Sequence, residues 1–166
     1  MKLPQIIPQK IFDLSGLQHQ LSRWRLLGKT VAFTNGCFDI VHQGHIASLS
    51  DAAREADFLV VGLNSDASTC RLKGENRPIN DQHARATVMA ALLMVDAVIL
   101  FEEDTPLNLI NAIRPDVLVK GADYKKEDVV GWNLVEGWGG RVALAPLIDG
   151  KSTSSLIQRI IEKHQD

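Results

Sequence analysis

Apolar positions along this chain fall into two alternating rhythms. Short unbroken runs stand at 31–33 (VAF), 58–64 (FLVVGLN), 96–101 (DAVILF), 116–120 (DVLVK) and 141–146 (RVALAP). They are rich in β-branched residues and suit strands buried on both faces. Between them the apolar residues recur at helical spacing. Leu17, Leu21, Trp24 and Leu27 predict a helix over 15–27, with Gly28 as its stop. Ile46, Leu49, Ala53 and Ala56 predict one over 42–56. Asp81 is a good N-cap for a helix reaching about Leu93, and Thr105 and Pro106 read as the cap and first position of a helix over 105–113. Further helices are predicted over 126–137 and 152–163, an extended arm over 1–12, and a long polar loop over 65–80. Strands alternating with helices imply a Rossmann-like, doubly wound α/β fold: five mostly parallel strands with helices on both faces. Ligands of such sheets bind beyond the carboxyl ends of the strands, where strand order reverses.

Composition narrows the class. The 166 residues fit one domain, and a chain of that size buries roughly 70% of its unfolded surface. A net charge of −2 leaves no electrostatic footprint for nucleic acid, so a local basic cluster would serve a smaller anion. Two cysteines, Cys37 and Cys70, are too few for a secreted disulfide framework and read as reduced thiols. The opening MKLPQIIPQK lacks the continuous apolar region of a signal peptide, and no run approaches the ~18 apolar residues of a membrane span. A cytoplasmic protein with no membrane partner is expected.

The candidate chemistry centres on TNGCFDIVHQGH, Thr34 to His45, just after the first strand. A P-loop is excluded: Gly28-Lys29-Thr30 and Gly150-Lys151-Ser152 have Arg23 and Ala145 where its first glycine belongs. The dinucleotide fingerprint is absent too, since Gly36 and Gly44 are eight apart. His42 and His45, three apart, project from one side of a helix. In a first turn they would meet free backbone N–H groups and the positive end of the helix dipole. Gly44 between them leaves room for a ligand to approach. Two neutral imidazoles there could hold phosphate oxygens, more tightly as charge builds on a transferring phosphorus. The ordinary alternative is that one histidine caps the helix and the other packs inside. A zinc site from Cys37, His42 and His45 lacks a fourth ligand and the H-E-x-x-H arrangement, and a Cys37 nucleophile lacks an orienting partner. No metal site is assigned.

Four segments in order carry a resemblance. TNGCFDIVHQGH looks like the signature of the HxGH nucleotidyltransferases. RLKGENRPIN, VLVKGADY and GKSTSSLIQRI are similar to those of the bacterial D-glycero-β-D-manno-heptose 1-phosphate adenylyltransferases within that superfamily. The likeness covers nearly the whole chain from about Thr30. It implies adenylyl transfer from ATP, with Mg²⁺, to a sugar 1-phosphate, in a homodimer. In many bacteria this activity is half of a bifunctional kinase–adenylyltransferase, of which this chain would be a stand-alone version. The resemblance implies catalytic roles for His42, His45 and Lys73. It places Asn35, Gly36, Cys37, Phe38 and Gly44 at the nucleotide, with Lys120, Gly121, Asp123 and Tyr124 of KGADY and Ser152, Thr153 and Ser154 of the serine-rich run. Asp39, Asp66, Arg71 and Arg77 would face the acceptor. Two positions depart from the pattern: Ala122 replaces a frequent second glycine, and Lys151 stands near where relatives carry arginine, giving a point charge in place of a fork.

Two segments also have plain readings. The serine-rich run beginning at Lys151 offers hydroxyls and first-turn amides to anionic oxygens, or simply caps a helix. The loop 71–77, with Arg71, Lys73 and Arg77 and with Arg85 following, is either a solvated loop or a lid whose cations meet phosphate. Trp24, Trp132 and Trp138 read as core or interface residues.

Overall fold

The computed structural model describes residues 4–122, 125–146 and 153–164. Its sheet has six strands, one more than the hydrophobic pattern predicts: β1 (Ile11–Phe12), β2 (Val31–Gly36), β3 (Phe58–Asn64), β4 (Ala97–Phe101), β5 (Val117–Gly121) and β6 (Arg141–Ala145). They lie in the order β1-β4-β3-β2-β5-β6, and every pairing is parallel. The added strand comes from the segment expected to be an extended arm. A short helix α1 (Ile6–Gln9) leads into β1, and Lys10 anchors the junction by donating to the Val95 carbonyl at 2.7 Å. A two-residue strand has no period to read, and Pro8 sits in a single helical turn where its missing N–H costs nothing.

Side chains alternate across the sheet and build two cores. Val31, Phe33, Val60, Ala97, Ile99 and Leu118 face α2 (Leu14–Leu26), α6 (Leu107–Ile113) and α7 (Trp132–Gly137). Ala32, Leu59, Val61, Val98 and Val119 face α3 (Gln43–Arg54) and α5 (Gln82–Ala91). Each fully buried Leu or Phe contributes about 1.5–3 kcal/mol relative to an exposed one. Trp24 stacks on Phe58 at 4.1 Å, and Trp138 donates its indole N–H to the Pro115 carbonyl, so both serve packing. Asp13 caps α2 through the Gly16 N–H, and Gly28 at φ +70° turns the chain out of it.

Three boundaries differ from expectation. The polar stretch 65–80 holds a helix, α4 (Asp66–Lys73), capped by the Ser65 side chain. It buries Ser68 and Thr69 in place of an apolar stripe, which hid its helical period. Helix α6 begins at Leu107 with Pro106 in the cap position and no side-chain cap bond, so Thr105 is not the cap. The helix expected over 126–137 is a 3₁₀ turn at Lys126–Asp128 followed by α7, broken by Gly131 at φ +87°. The final helix, α8, runs Thr153–Lys163.

The chain winds from β2 outward through β3 to β4, then crosses back so that β5 lies on the other side of β2. The carboxyl ends of β2 and β5 therefore diverge into loops on opposite faces, and a crevice opens between them.

Candidate active site

Strand β2 continues three residues beyond the predicted VAF run, to Gly36, and delivers the Cys37–Val41 turn at the crevice. Asn35 at its end accepts from Lys120 Nζ on β5 at 2.5 Å, directly across the point where strand order reverses. Phe38 has φ +45°, a left-handed conformation that a bulky residue keeps only when its surroundings hold it. Its ring folds back over Gly36, where a Cβ would stand 3.1 Å from the ring, so a side chain there would press the ring aside.

Two clamps hold this turn. The Asp39 carboxylate is fully buried and accepts from Arg77 Nε at 2.6 Å and from the backbone N–H groups of Ile79 and Asn80 at 2.8–2.9 Å. Burial pushes its pKa up, but the Asn80, Ile79 and Arg77 donors outweigh it and the pKa lies below the ordinary carboxylate value. The second clamp is Arg85, whose side chain is also fully buried. It donates to the Cys37 carbonyl at 2.5 Å, the Asn80 carbonyl at 3.0 Å and Asp66 Oδ1 at 2.7 Å. The expectation of Arg85 as a cation beside a mobile lid is therefore corrected: it is an interior tie between three segments.

The histidines stand where the turn enters α3. His42 is the N-cap, and its Nδ1 accepts from the Gly44 N–H at 3.1 Å. That bond leaves the proton of the neutral ring on Nε2. His45, one turn on, stacks on His42 with centroids 3.9 Å apart and meets the Phe38 ring edge-on at 5.3 Å. Its pKa is lowered to about 4, first by burial and then by the nearness of His42, with the Ile40 carbonyl opposing weakly. His45 is thus neutral at pH 7. The two plain expectations for the pair, cap and packed ring, both describe part of what is seen, and neither removes His45 from the crevice.

The crevice is a cleft of about 420 Å³. Asn35, Gly36, Cys37, Phe38 and Asp39 line it from the β2 side, with His45 from α3. Lys73, Arg77 and Lys120 bring three cationic side chains to it, and Thr153 reaches it from the start of α8. The turn, the cation-bearing segment, β5 and the α8 end thus meet in one place. Six described residues singled out in the sequence stand outside this lining. His42 lies behind His45 as the α3 N-cap, and Gly44 donates its N–H to the His42 ring. Asp66 pairs with Arg85. Arg71 bridges to Asp104 at 2.7 Å and donates to the Glu102 carbonyl. Gly121 ends β5, and Ser154 lies exposed on α8. Asp123, Tyr124 and Ser152 lie outside the described residues. The opposite wall, from Asp104, Thr105 and Pro106 to Asp128, Val129 and Val130, was not anticipated. Its signal was positional: both segments follow or flank the carboxyl ends of β4 and β5.

Among the described residues no three His, Cys, Asp or Glu side chains group to hold a metal ion. The cleft offers cations, the neutral His45 imidazole and the first residue of α8, a set suited to phosphate oxygens.

A fully parallel sheet with a cation-lined cleft at its switch point is the Rossmann-like nucleotidyltransferase fold. Residues 33–159 match the cytidylyltransferase-like family, and the chain belongs to that family. It is 53% identical over 151 residues to the bifunctional protein HldE of Magnetococcus marinus, covering 91% of this chain and 31% of that protein. It is 58% identical over 143 residues to HldE of Nitrobacter hamburgensis, covering 86% and 29%. The chain spans about a third of the length of these relatives. Among solved structures, a lipopolysaccharide core biosynthesis protein from Thermoplasma volcanium superposes with TM-score 0.60 at 27% identity, over 75% of this chain and 100% of that one. A pantoate-β-alanine ligase from Francisella tularensis, at 15% identity and TM-score 0.63 over 90% of this chain and 72% of that one, shares the fold.

Proposed function

We propose that this chain is one nucleotidyltransferase domain, residues 1–166, that transfers AMP from ATP to D-glycero-β-D-manno-heptose 1-phosphate, releasing pyrophosphate and ADP-heptose for lipopolysaccharide core synthesis in the cytoplasm. The observation that carries the reading is His45, stacked on the α3 N-cap His42 and lining one cleft with Lys73, Arg77 and Lys120. The sequence segments resembling heptose 1-phosphate adenylyltransferases support the choice of acceptor. So do relatives that are bifunctional and align with this chain over about a third of their length.

An oxygen of the sugar 1-phosphate attacks the α-phosphorus of ATP in line. The bond from that phosphorus to the bridging oxygen breaks, and pyrophosphate leaves with the electron pair. The attacking oxygen is already anionic at pH 7, so no general base is required. Catalysis then consists of positioning and of neutralising charge on the phosphoryl oxygens. His45 and His42 present N–H groups to the α-phosphate region, and Lys120 and the α3 N-terminus hold the triphosphate. Lys73 takes the charge developing on pyrophosphate. Arg77, Asp39, Asp66 and Arg71 organise the acceptor side, Arg77 by direct charge and Asp39 through the loop it clamps. Asn35, Gly36, Cys37, Phe38 and Gly44 supply backbone contacts. Gly121, Asp123, Tyr124, Ser152, Thr153 and Ser154 complete the nucleotide side. Mg²⁺ enters as part of the Mg·ATP substrate, held by phosphates and water. The active form is a homodimer of two 18.3 kDa chains, which sedimentation equilibrium tests.

The test is a pyrophosphate-release screen of ATP and CTP against sugar 1-phosphates and glycerol 3-phosphate. Release with ATP and the heptose 1-phosphate supports the reading. The family's cytidylyltransferase-like character makes CTP the informative competitor. Turnover confined to CTP rejects the adenylyl assignment.

A further inference from the structure

The buried guanidinium of Arg85 does not line the cleft described above; it lies behind the turn, in a smaller cavity that Phe38, Asp39 and Asn80 also line. Its three donations go to three separate segments: the Cys37 carbonyl on the turn, the Asn80 carbonyl on the loop before α5, and the Asp66 carboxylate at the start of α4. Burying an arginine is costly unless each donor direction is used, and here all three nitrogens are used.

The bond to Cys37 has a directional consequence. In a trans peptide the C=O and the following N–H point in opposite directions. Arg85 draws the Cys37 carbonyl toward the back of the turn, so the N–H of Phe38 must point toward the front, where Cys37 and Phe38 line the cleft. Phe38 sits in the left-handed region, the backbone setting in which successive N–H groups converge on an anion. With the carbonyl turned forward, the same peptide would present a negative oxygen to the phosphates.

We infer that Arg85 is a positioning residue: by holding the Cys37 carbonyl away from the cleft it fixes the Phe38 N–H as a phosphate donor. The Asn80 bond adds a link, because Asn80 also donates its backbone N–H and its side-chain Nδ2 to Asp39, at 2.9 Å each. Arg85 thus ties the orientation of the turn to the loop that carries Arg77. Lysine at this position keeps the charge opposite Asp66 but has no planar fork to reach both Asp66 and the Cys37 carbonyl. The inference rests on the nucleotidyl-transfer reading for its catalytic consequence and on the peptide geometry for its structural one.

The experiment compares wild type with Arg85→Lys in two readouts. Steady-state pyrophosphate release is measured with ATP and the heptose 1-phosphate, with thermal unfolding followed alongside. The ¹⁵N–¹H resonance of Phe38 is followed while inorganic pyrophosphate is added. The expected result is a folded variant whose kcat falls about 10²-fold, the scale of losing one preorganised donor. Its KM for ATP changes little, and its Phe38 resonance loses the response to pyrophosphate seen in wild type. A merely structural arginine would alter the melting temperature without that split between kcat and KM. Arg85→Lys with wild-type kcat and a wild-type Phe38 response overturns the inference. Should the variant not fold, the wild-type titration decides: a Phe38 amide that ignores pyrophosphate refutes the proposal, and one that shifts supports it. Wild type that binds pyrophosphate through Phe38 but does not turn over the heptose phosphate would remove the acceptor assignment and leave the role of Arg85 standing.

Discussion

His45 is a histidine kept neutral by its place in the fold, and that has a measurable cost in acid. Burial and the adjacent His42 ring lower its pKa from 6.5 to about 4. Between those two values the unfolded chain binds the proton and the folded protein does not. Stability linked to this residue is therefore fully present above pH 6.5, declines as pH falls toward 4, and changes no further below that. Denaturant unfolding of wild type and His45→Gln across pH 4–7 should show a steeper decline for wild type. Parallel curves would mean that the ring titrates normally. That these two rings would lie together at the head of a helix was legible in the sequence from their spacing. That His42 spends one nitrogen on capping was not, because the H-x-G-H pattern is the same whichever way the rings turn.

Strands β2 and β3 carry the site, and their registry leaves no slack beneath it. Asn35 pairs with Gly62 in that registry, and a Cβ on Gly62 would lie 2.8 Å from the Phe33 ring and 3.2 Å from the Asn35 Cβ. Gly62→Ala must then push Phe33 out of its core position or separate the strands. Overpacking of this kind costs about 1–3 kcal/mol, read as a lower denaturant midpoint. Because Asn35 moves with the strand, turnover should fall as well; an alanine variant with unchanged midpoint would show that the sheet relaxes freely. Five of the six strands were legible as continuous apolar runs. β1 escaped because two residues have no rhythm, and α4 because it buries serine and threonine. The start of α6 moved by one residue, since Pro106 satisfies a cap position by lacking an N–H as well as it would the first helical one.

For the molecule as a whole, topology explains why residues far apart in sequence meet. The crossover that puts β5 beside β2 brings Lys120 to Asn35, while the end of α4, the segment after it and the start of α8 bring Lys73, Arg77 and Thr153 to the same cleft. The TNGCFDIVHQGH and VLVKGADY motifs could be found in the sequence because they adjoin the ends of β2 and β5. The segments Asp104–Pro106 and Asp128–Val130 could not, since nothing in those stretches resembles a motif and only the folded sheet brings them into one cleft with His45. The described residues include no helix long and apolar enough to cross a membrane. The central claim is that a cleft built from the β2 turn, the histidine pair and flanking cations transfers a nucleotidyl group without a covalent intermediate. Its most direct test is single-turnover pyrophosphate release from ATP and the heptose 1-phosphate by wild type, His42→Ala and His45→Ala, each confirmed folded by circular dichroism. The account predicts a rate lowered about 10²–10³-fold in each variant, the loss expected for a donor that acts on transition-state charge. Wild-type rates in both variants would contradict it.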